Sequence, residues 1–212
     1  MMEPSDSQEA RDFMKEAFEI SEQFDTPILM RMTTRLCHSK GIVECAERAD
    51  VPAKKYEKNI AKHLNPPAIA KKQRILLEDR LVKLKEFSET THLNRIEDNG
   101  KKVGVVVSGM CYCYAKEVFG DDVNYLKLGF TYPLPSELIK KFCTGLDTIY
   151  VIEENDPILE EEIQRVGFAP KGKNTFPAYD ELTSDVIRKC VFGKTFESVD
   201  YDRTKVVARP PA

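Results

Sequence analysis

Three places in the 212-residue sequence combine residue types that could bind or activate something. Ser108-Gly109 follows the apolar run Gly104-Val105-Val106-Val107 and precedes a helical pattern. Backbone N–H groups at the first turn of such a helix can hold an anion. A strand-to-helix crossover needs a turn there in any case, and no Gly-x-Gly-x-x-Gly occurs, so the structural reading comes first and the anion site second. Glu153-Glu154-Asn155-Asp156 ends another apolar run, and its oxygens could hold a hard cation. A loop in which Asp156 caps a helix opening at Pro157 accounts for it more cheaply. Gly120-Asp121-Asp122 spells part of a diphosphate-metal motif, yet it lies between a helix and a strand, where it reads as a turn.

The cysteines, at 37, 45, 111, 113, 143 and 190, offer no metal spacing. Cys111-Tyr112-Cys113 is too close for a tetrahedral zinc pair and no Cys-x-x-Cys occurs, so the six read as reduced thiols. Between Lys54 and Lys85 ten basic residues stand against Glu57, Glu78 and Asp79. That run is either a surface for an acidic partner or a solvated helix face. The second is favoured, because residues 67–85 carry no aromatic for stacking.

Bulk properties narrow the partners. A formal net charge of −3 supplies no field that would draw in nucleic acid. The apolar runs are strand-sized, so no membrane partner is expected. Met1-Met2-Glu3-Pro4-Ser5 leads into charged residues without an apolar core, so a secretory leader is not expected and the location reads as cytoplasmic.

Periodicity supplies the elements. Ser5 and Gln8 form a helix-start signal, and Ala10, Phe13, Met14, Ala17, Phe18 and Phe24 then recur at helical spacing. Asp25-Thr26-Pro27 stops that helix, and Ile28 to Thr34 reads as a strand. This arm, Met1 to about Lys40, cannot bury its apolar faces by itself. It must dock on the rest of the chain, pair with a second copy in a homodimer, or fray, and it is expected to be the least independently stable part. From Asn65-Pro66-Pro67 an amphipathic helix runs to about Arg95.

After Lys102 strands and helices alternate: strands at Val103–Val107, Val123–Leu128 and Thr148–Glu153, and helices at Met110–Phe119, Ser136–Cys143, Pro157–Val166 and Thr183–Cys190. The spacing predicts an α/β fold, a mostly parallel sheet with helices on both faces. Its core would be Val105, Val106, Val107, Leu126, Leu128, Ile149, Val151 and Ile152. The predicted division is residues 1–45, a helix–strand arm; 46–101, a helical connector; 102–193, the α/β domain; and 194–212, an extended tail.

The order of Gly104-Val-Val-Val-Ser-Gly-Met-Cys-Tyr-Cys-Tyr-Ala-Lys-Glu117, Leu126-Lys-Leu-Gly-Phe-Thr-Tyr-Pro-Leu-Pro135 and Tyr150-Val-Ile-Glu-Glu-Asn-Asp-Pro157 resembles the large subunit of indolepyruvate:ferredoxin oxidoreductases. These are thiamine diphosphate-dependent 2-oxoacid oxidoreductases. The resemblance extends upstream through Pro4 to Ala10 and Met30 to Ser39, and downstream to Thr183.

It implies that 1–45 closes an incomplete pyrimidine-binding thiamine domain and that 102–193 is similar to the carboxy-terminal domain of transketolase. Ala208-Arg-Pro-Pro-Ala212 would then be a linker to a diphosphate-binding domain. Thiamine diphosphate, magnesium and iron–sulfur clusters are implied for the full enzyme, with none bound by this portion. A smaller partner subunit, ferredoxin and CoA are implied as partners, and the remaining domains of the same subunit as neighbours.

No catalytic, cofactor-binding or metal residue is carried over. Arg31, Arg35 and His38 fall at the end of a cofactor-domain strand in this resemblance. With Ser108 and Gly109 they are candidate anion or interface contacts. The alternative is a standalone α/β module that binds an anionic ligand or an acidic partner.

Overall fold

The computed structural model describes residues 1–48, 50–53 and 55–197. From 198 onward the predicted tail, with its Ala208–Ala212 linker, lies outside the described residues. The helices are α1 (Ser7–Phe24), α2 (Thr34–His38), α3 (Ile60–His63), α4 (Pro67–Thr90), α5 (Cys111–Phe119), α6 (Ser136–Cys143), α7 (Ile158–Arg165) and α8 (Ser184–Phe192). The strands are β1 (Asn94–Glu97), β2 (Val103–Ser108), β3 (Asn124–Leu128) and β4 (Thr148–Ile152).

They form one sheet in the order β1-β3-β2-β4. β2 runs parallel to β3 and β4, and β1 is antiparallel to β3. Strand alternation splits the apolar residues between two faces. Val105, Val107, Tyr125 and Ile152 pack under α5 and α8 with Ala115, Phe176 and Ile187. Val106, Leu126, Leu128, Ile149 and Val151 pack under α6 and α7 with Ile139, Phe142 and Ile163. Every residue of the expected sheet core is buried.

Three local expectations shift. The cap of α1 is Asp6, not Ser5: its carboxylate accepts the Glu9 N–H at 2.8 Å, and Glu9 rather than Gln8 reaches back, to the Ser5 N–H at 2.8 Å. The helix expected to reach Arg95 stops at Thr90, and β1 follows. Asn94 makes that break. Its amide oxygen accepts the N–H groups of Gly129 (3.0 Å) and Phe130 (2.9 Å), and its amide nitrogen donates to the Ser88 carbonyl (2.9 Å).

The strand expected over Ile28 to Thr34 reduces to a bridge between Met30 and Met2. Pro27 removes a donor on one side, and Thr33 caps α2 on the other. Gly120 ends α5 with its N–H bonded to the Lys116 carbonyl, so Gly120-Asp121-Asp122 is a helix-terminating turn.

The arm is docked on the sheet. Residues 1–3 lie between 29–31 and 129–131: Met2 N–H donates to the Leu29 carbonyl and Arg31 N–H to the Met2 carbonyl, each at 2.9 Å. On the other side Glu3 N–H donates to Gly129 (2.8 Å) and Thr131 N–H to Met1 (2.9 Å). Met2, Phe13, Ala17 and Ile20 form a third apolar cluster with Leu84, Leu93 and Phe130.

Gly129 sits where this cluster meets the backbone. A Cβ there would lie 2.6 Å from the Leu93 carbonyl oxygen and 2.7 Å from the Phe13 ring. Neither can retreat without disturbing β1 or α1, so Gly129→Ala is expected to cost about 1–3 kcal/mol. Urea unfolding of the variant beside the parent checks this, and a midpoint unchanged from the parent would contradict it.

Candidate functional site

Chain reversals in this sheet define where a ligand could enter. The β2-to-β3 crossover leads to one side of β2 and the β3-to-β4 crossover to the other, so the switch point lies at the carboxyl end of β2. A crevice of about 290 Å³ opens there, lined by Ser108, Gly109 and Cys111 after β2, Thr131 after β3, and Glu153 and Glu154 after β4. Glu3 and Arg31 close it from the N-terminal segment.

The position beside Ser108-Gly109 holds a carboxylate of the chain itself. Glu3 is buried, and Ser108 Oγ donates to its Oε2 at 2.7 Å. Thr131 Oγ1 lies 3.3 Å from Oε1, and an Arg31 guanidinium nitrogen 3.3 Å from Oε2. Gly109 adopts φ 51°, a left-handed conformation beside this carboxylate, and α5, with Met110 at its N-cap, has no side-chain cap.

Glu153, not Asp156, caps α7. Its two carboxylate oxygens accept the N–H groups of Leu159 (2.8 Å) and Glu160 (3.0 Å). Only the longer side chain reaches back across the turn, a pairing that the Asp-Pro spelling of residues 156–157 concealed. Burial pushes the Glu153 carboxyl up against those bonds. Burial also raises the neighbouring Glu154; Arg31 opposes the rise and Glu3 adds to it.

Arg31 and Ser108 therefore meet through Glu3, beside Gly109. Arg35 pairs instead with Glu181. Both of its groups are about half exposed, so the pair contributes at most about 1 kcal/mol. His38, the last residue of α2, is exposed and lies outside the crevice.

A second charged cluster carries no signature in the sequence. Lys127, in the middle of β3, is fully buried, and its ammonium meets the Glu9 carboxylate of α1. It also lies 5.0 Å from the Phe13 ring centre. Arg95 of β1 donates to the other Glu9 oxygen at 2.9 Å and reaches Glu97 at 3.3 Å. Glu97 accepts the Tyr112 hydroxyl at 2.7 Å and pairs with Lys116 at 3.0 Å. Burial pushes the Glu9 carboxyl up, but the Lys127 charge and the hydrogen bonds from Lys127 and Ser5 outweigh it and hold the group at about 2. This cluster is a clamp between the arm and the sheet.

Among the described residues no group of three or more His, Cys, Asp or Glu side chains is placed to hold a metal ion. The Cys111 and Cys143 thiols are buried and pushed up by that burial, the opposite of what thiolate ligation needs.

No protein-family model matches the chain. Curated proteins do. The indolepyruvate oxidoreductase subunit IorA of Methanothermobacter marburgensis is 36% identical over 229 residues, covering 100% of this chain and 37% of that protein. IorA of Methanothermobacter thermautotrophicus matches with the same identity and coverage. IorA of Pyrococcus horikoshii is 31% identical over 240 residues, again with 100% of this chain and 37% of its own length covered.

The chain is related over its whole length to a segment of IorA. It spans about 37% of the length of these relatives. The similarity to IorA takes in the arm, the clamp and the crevice together, so the docking of α1 on the sheet falls within the related segment.

Proposed function

We propose that the chain is a structural and interface portion of the large subunit of an indolepyruvate:ferredoxin oxidoreductase. End-to-end similarity to IorA carries this reading. In it, residues 1–45 close a pyrimidine-binding thiamine domain, 46–101 form a connector, 102–193 form the transketolase-like domain and 194–212 lead to a diphosphate-binding domain. The whole enzyme would oxidatively decarboxylate an arylpyruvate in the cytoplasm, with CoA accepting the acyl group and ferredoxin the electrons. A smaller subunit would complete it.

Thiamine diphosphate, magnesium and iron–sulfur clusters would belong to other portions of that assembly. The buried Cys111 and Cys143 thiols, with raised pKa, do not suit cluster ligation. No step of the reaction is assigned to this chain. No helix of the described residues is long and apolar enough to cross a membrane.

Exposed apolar surface supports the interface role. Met14 and Phe18 face outward on α1, and Ile75, Leu76 and Val82 on α4. A groove of about 750 Å³ runs beside Ile28, Leu29, Leu81, Phe130 and Leu134. Surface of this kind suits a neighbouring domain. The standalone-module reading loses ground because its anion position is taken by Glu3.

Two assays test the proposal. The chain alone, given thiamine diphosphate and magnesium, is expected to show no indolepyruvate-dependent reduction of a viologen dye. Inserted in place of the corresponding segment of Methanothermobacter marburgensis IorA and expressed with the small subunit, it is expected to support that activity. Turnover by the chain alone, or a chimera that does not assemble, would overturn the reading.

A further inference from the structure

We propose that the switch-point crevice is a carboxylate-binding site filled by a tethered ligand. The Glu3 side chain occupies it, and a small free monocarboxylate of the formate or acetate class takes its place when the Glu3 carboxylate is removed. The inference rests on the geometry of this chain and not on the reading of its function.

The donors come from three separate elements. Ser108 Oγ at the end of β2, Thr131 Oγ1 after β3 and the Arg31 guanidinium converge on one carboxylate at 2.7, 3.3 and 3.3 Å. Thr131 and Glu3 are each 5% exposed, so the carboxylate is shielded from water on that side, where hydrogen bonds to a charged group are strongest, while the Arg31 side chain is 40% exposed. This is a recognition shell for a carboxylate, at the place where open α/β sheets bind ligands.

The shell does not depend on the Glu3 side chain for its shape. The Glu3 backbone is fixed by its N–H bond to the Gly129 carbonyl, and the flanking Met1 and Met2 carbonyls accept Thr131 and Arg31 N–H groups. Removing the side chain at its Cβ therefore leaves the donors in place around a space about the size of acetate. A preorganised site loses less ordering entropy when it binds.

Size and charge select the ligand class. Arg31 is ion-paired with the Glu3 carboxylate, the Met1 ammonium acts on it from farther off, and Glu154 borders the same space. Glu153 is turned away onto the α7 N–H groups. The space beyond the Glu3 Cβ is that of one carboxylate, so a small monocarboxylate fits it where a dicarboxylate would not, and Glu154 at its border weighs against a second negative charge. In the parent chain the tether keeps Glu3 at an effective concentration in the millimolar range or above, so a free carboxylate gains little.

Thermal unfolding of Glu3→Ala, titrated with sodium acetate against sodium chloride at constant ionic strength, tests this. The variant is expected to show a saturable rise in Tm with acetate, half complete on the order of 10 mM, as suits so small a ligand. The parent should show none, and Glu3→Ala/Ser108→Ala should lose the response. Line broadening of carbon-13 acetate in the presence of Glu3→Ala, absent with the parent, gives a readout independent of stability. Equal responses in parent and variant, or a response that survives Ser108→Ala, would overturn the proposal. If Glu3→Ala fails to fold in chloride, refolding in acetate supports it and failure in both salts overturns it.

Discussion

Replacing Glu9 by alanine is expected to destabilise the fold by about 3–5 kcal/mol, because it strands the buried Lys127 ammonium in the middle of the sheet without its ion-pair partner. The loss is that of breaking a buried pair from one side, which exceeds the pair's net worth. Glu9→Leu combined with Lys127→Met, which removes both charges and keeps similar volume, should therefore recover most of the stability. Urea unfolding of the two variants beside the parent makes the comparison. A single variant within about 1 kcal/mol of the parent, or a double variant no better than the single, would show that the clamp does not bear on folding.

The same clamp sets an acid limit. The Glu9 carboxyl is held at about 2 in the fold against an ordinary value of 4.5. A carboxyl lowered in the folded state binds protons less readily there than in the unfolded chain. Its stabilising contribution is complete above pH 4.5 and disappears as pH falls through about 2. Between those values the parent should lose stability more steeply with falling pH than the Glu9→Leu/Lys127→Met variant.

Much of the α/β half was legible because its signals are local. Gly104-Val105-Val106-Val107 has strand composition and a turn after it, and Ser136–Cys143 is a helix from its own pattern of Leu138, Ile139 and Phe142. β1 was not legible: Asn94-Arg-Ile-Glu97 continues the polar and apolar spacing of α4. The Asn94 side chain, bonded to residues 35 and 36 positions away, helps to separate the two elements. Lys127 is hidden for a related reason. A lysine in Asn124–Leu128 suggests a solvent-facing position, yet all five residues of that strand are buried. The charge that makes this tolerable is Glu9, 118 residues earlier.

The crevice divides in the same way. Ser108-Gly109 could be singled out as an anion position from its place between strand and helix. That Glu3 fills it depends on Met1–Glu3 lying between 29–31 and 129–131, a pairing with no periodic signature. Arg31 was visible as a cation, but its partner was not, since Glu3 and Arg31 meet only after the chain reverses through α1.

Hydrogen exchange on α1 is expected to match that on β2, so that the arm behaves as part of the same cooperative unit. From the sequence alone the arm looked the least independently stable part, a helix with no sheet to cover. The structure supplies that cover: Met2, Phe13 and Ile20 are buried against Leu84, Leu93 and Phe130. Burying a side chain of this size is worth about 1.5–3 kcal/mol, so the three together contribute about 5–9 kcal/mol. Total stability of a domain is only about 5–15 kcal/mol. Opening the arm would thus remove most of the margin, and it would also expose the Lys127 ammonium that Glu9 neutralises. The amides of residues 10–24 should then exchange through global unfolding, with the same free energy as those of 103–107 and no dependence on protein concentration. Rapid exchange across residues 8–33, with protection confined to 103–107 and 148–152, would show that the arm opens alone. Protection that grows with concentration would show that a second copy, not the sheet, covers it.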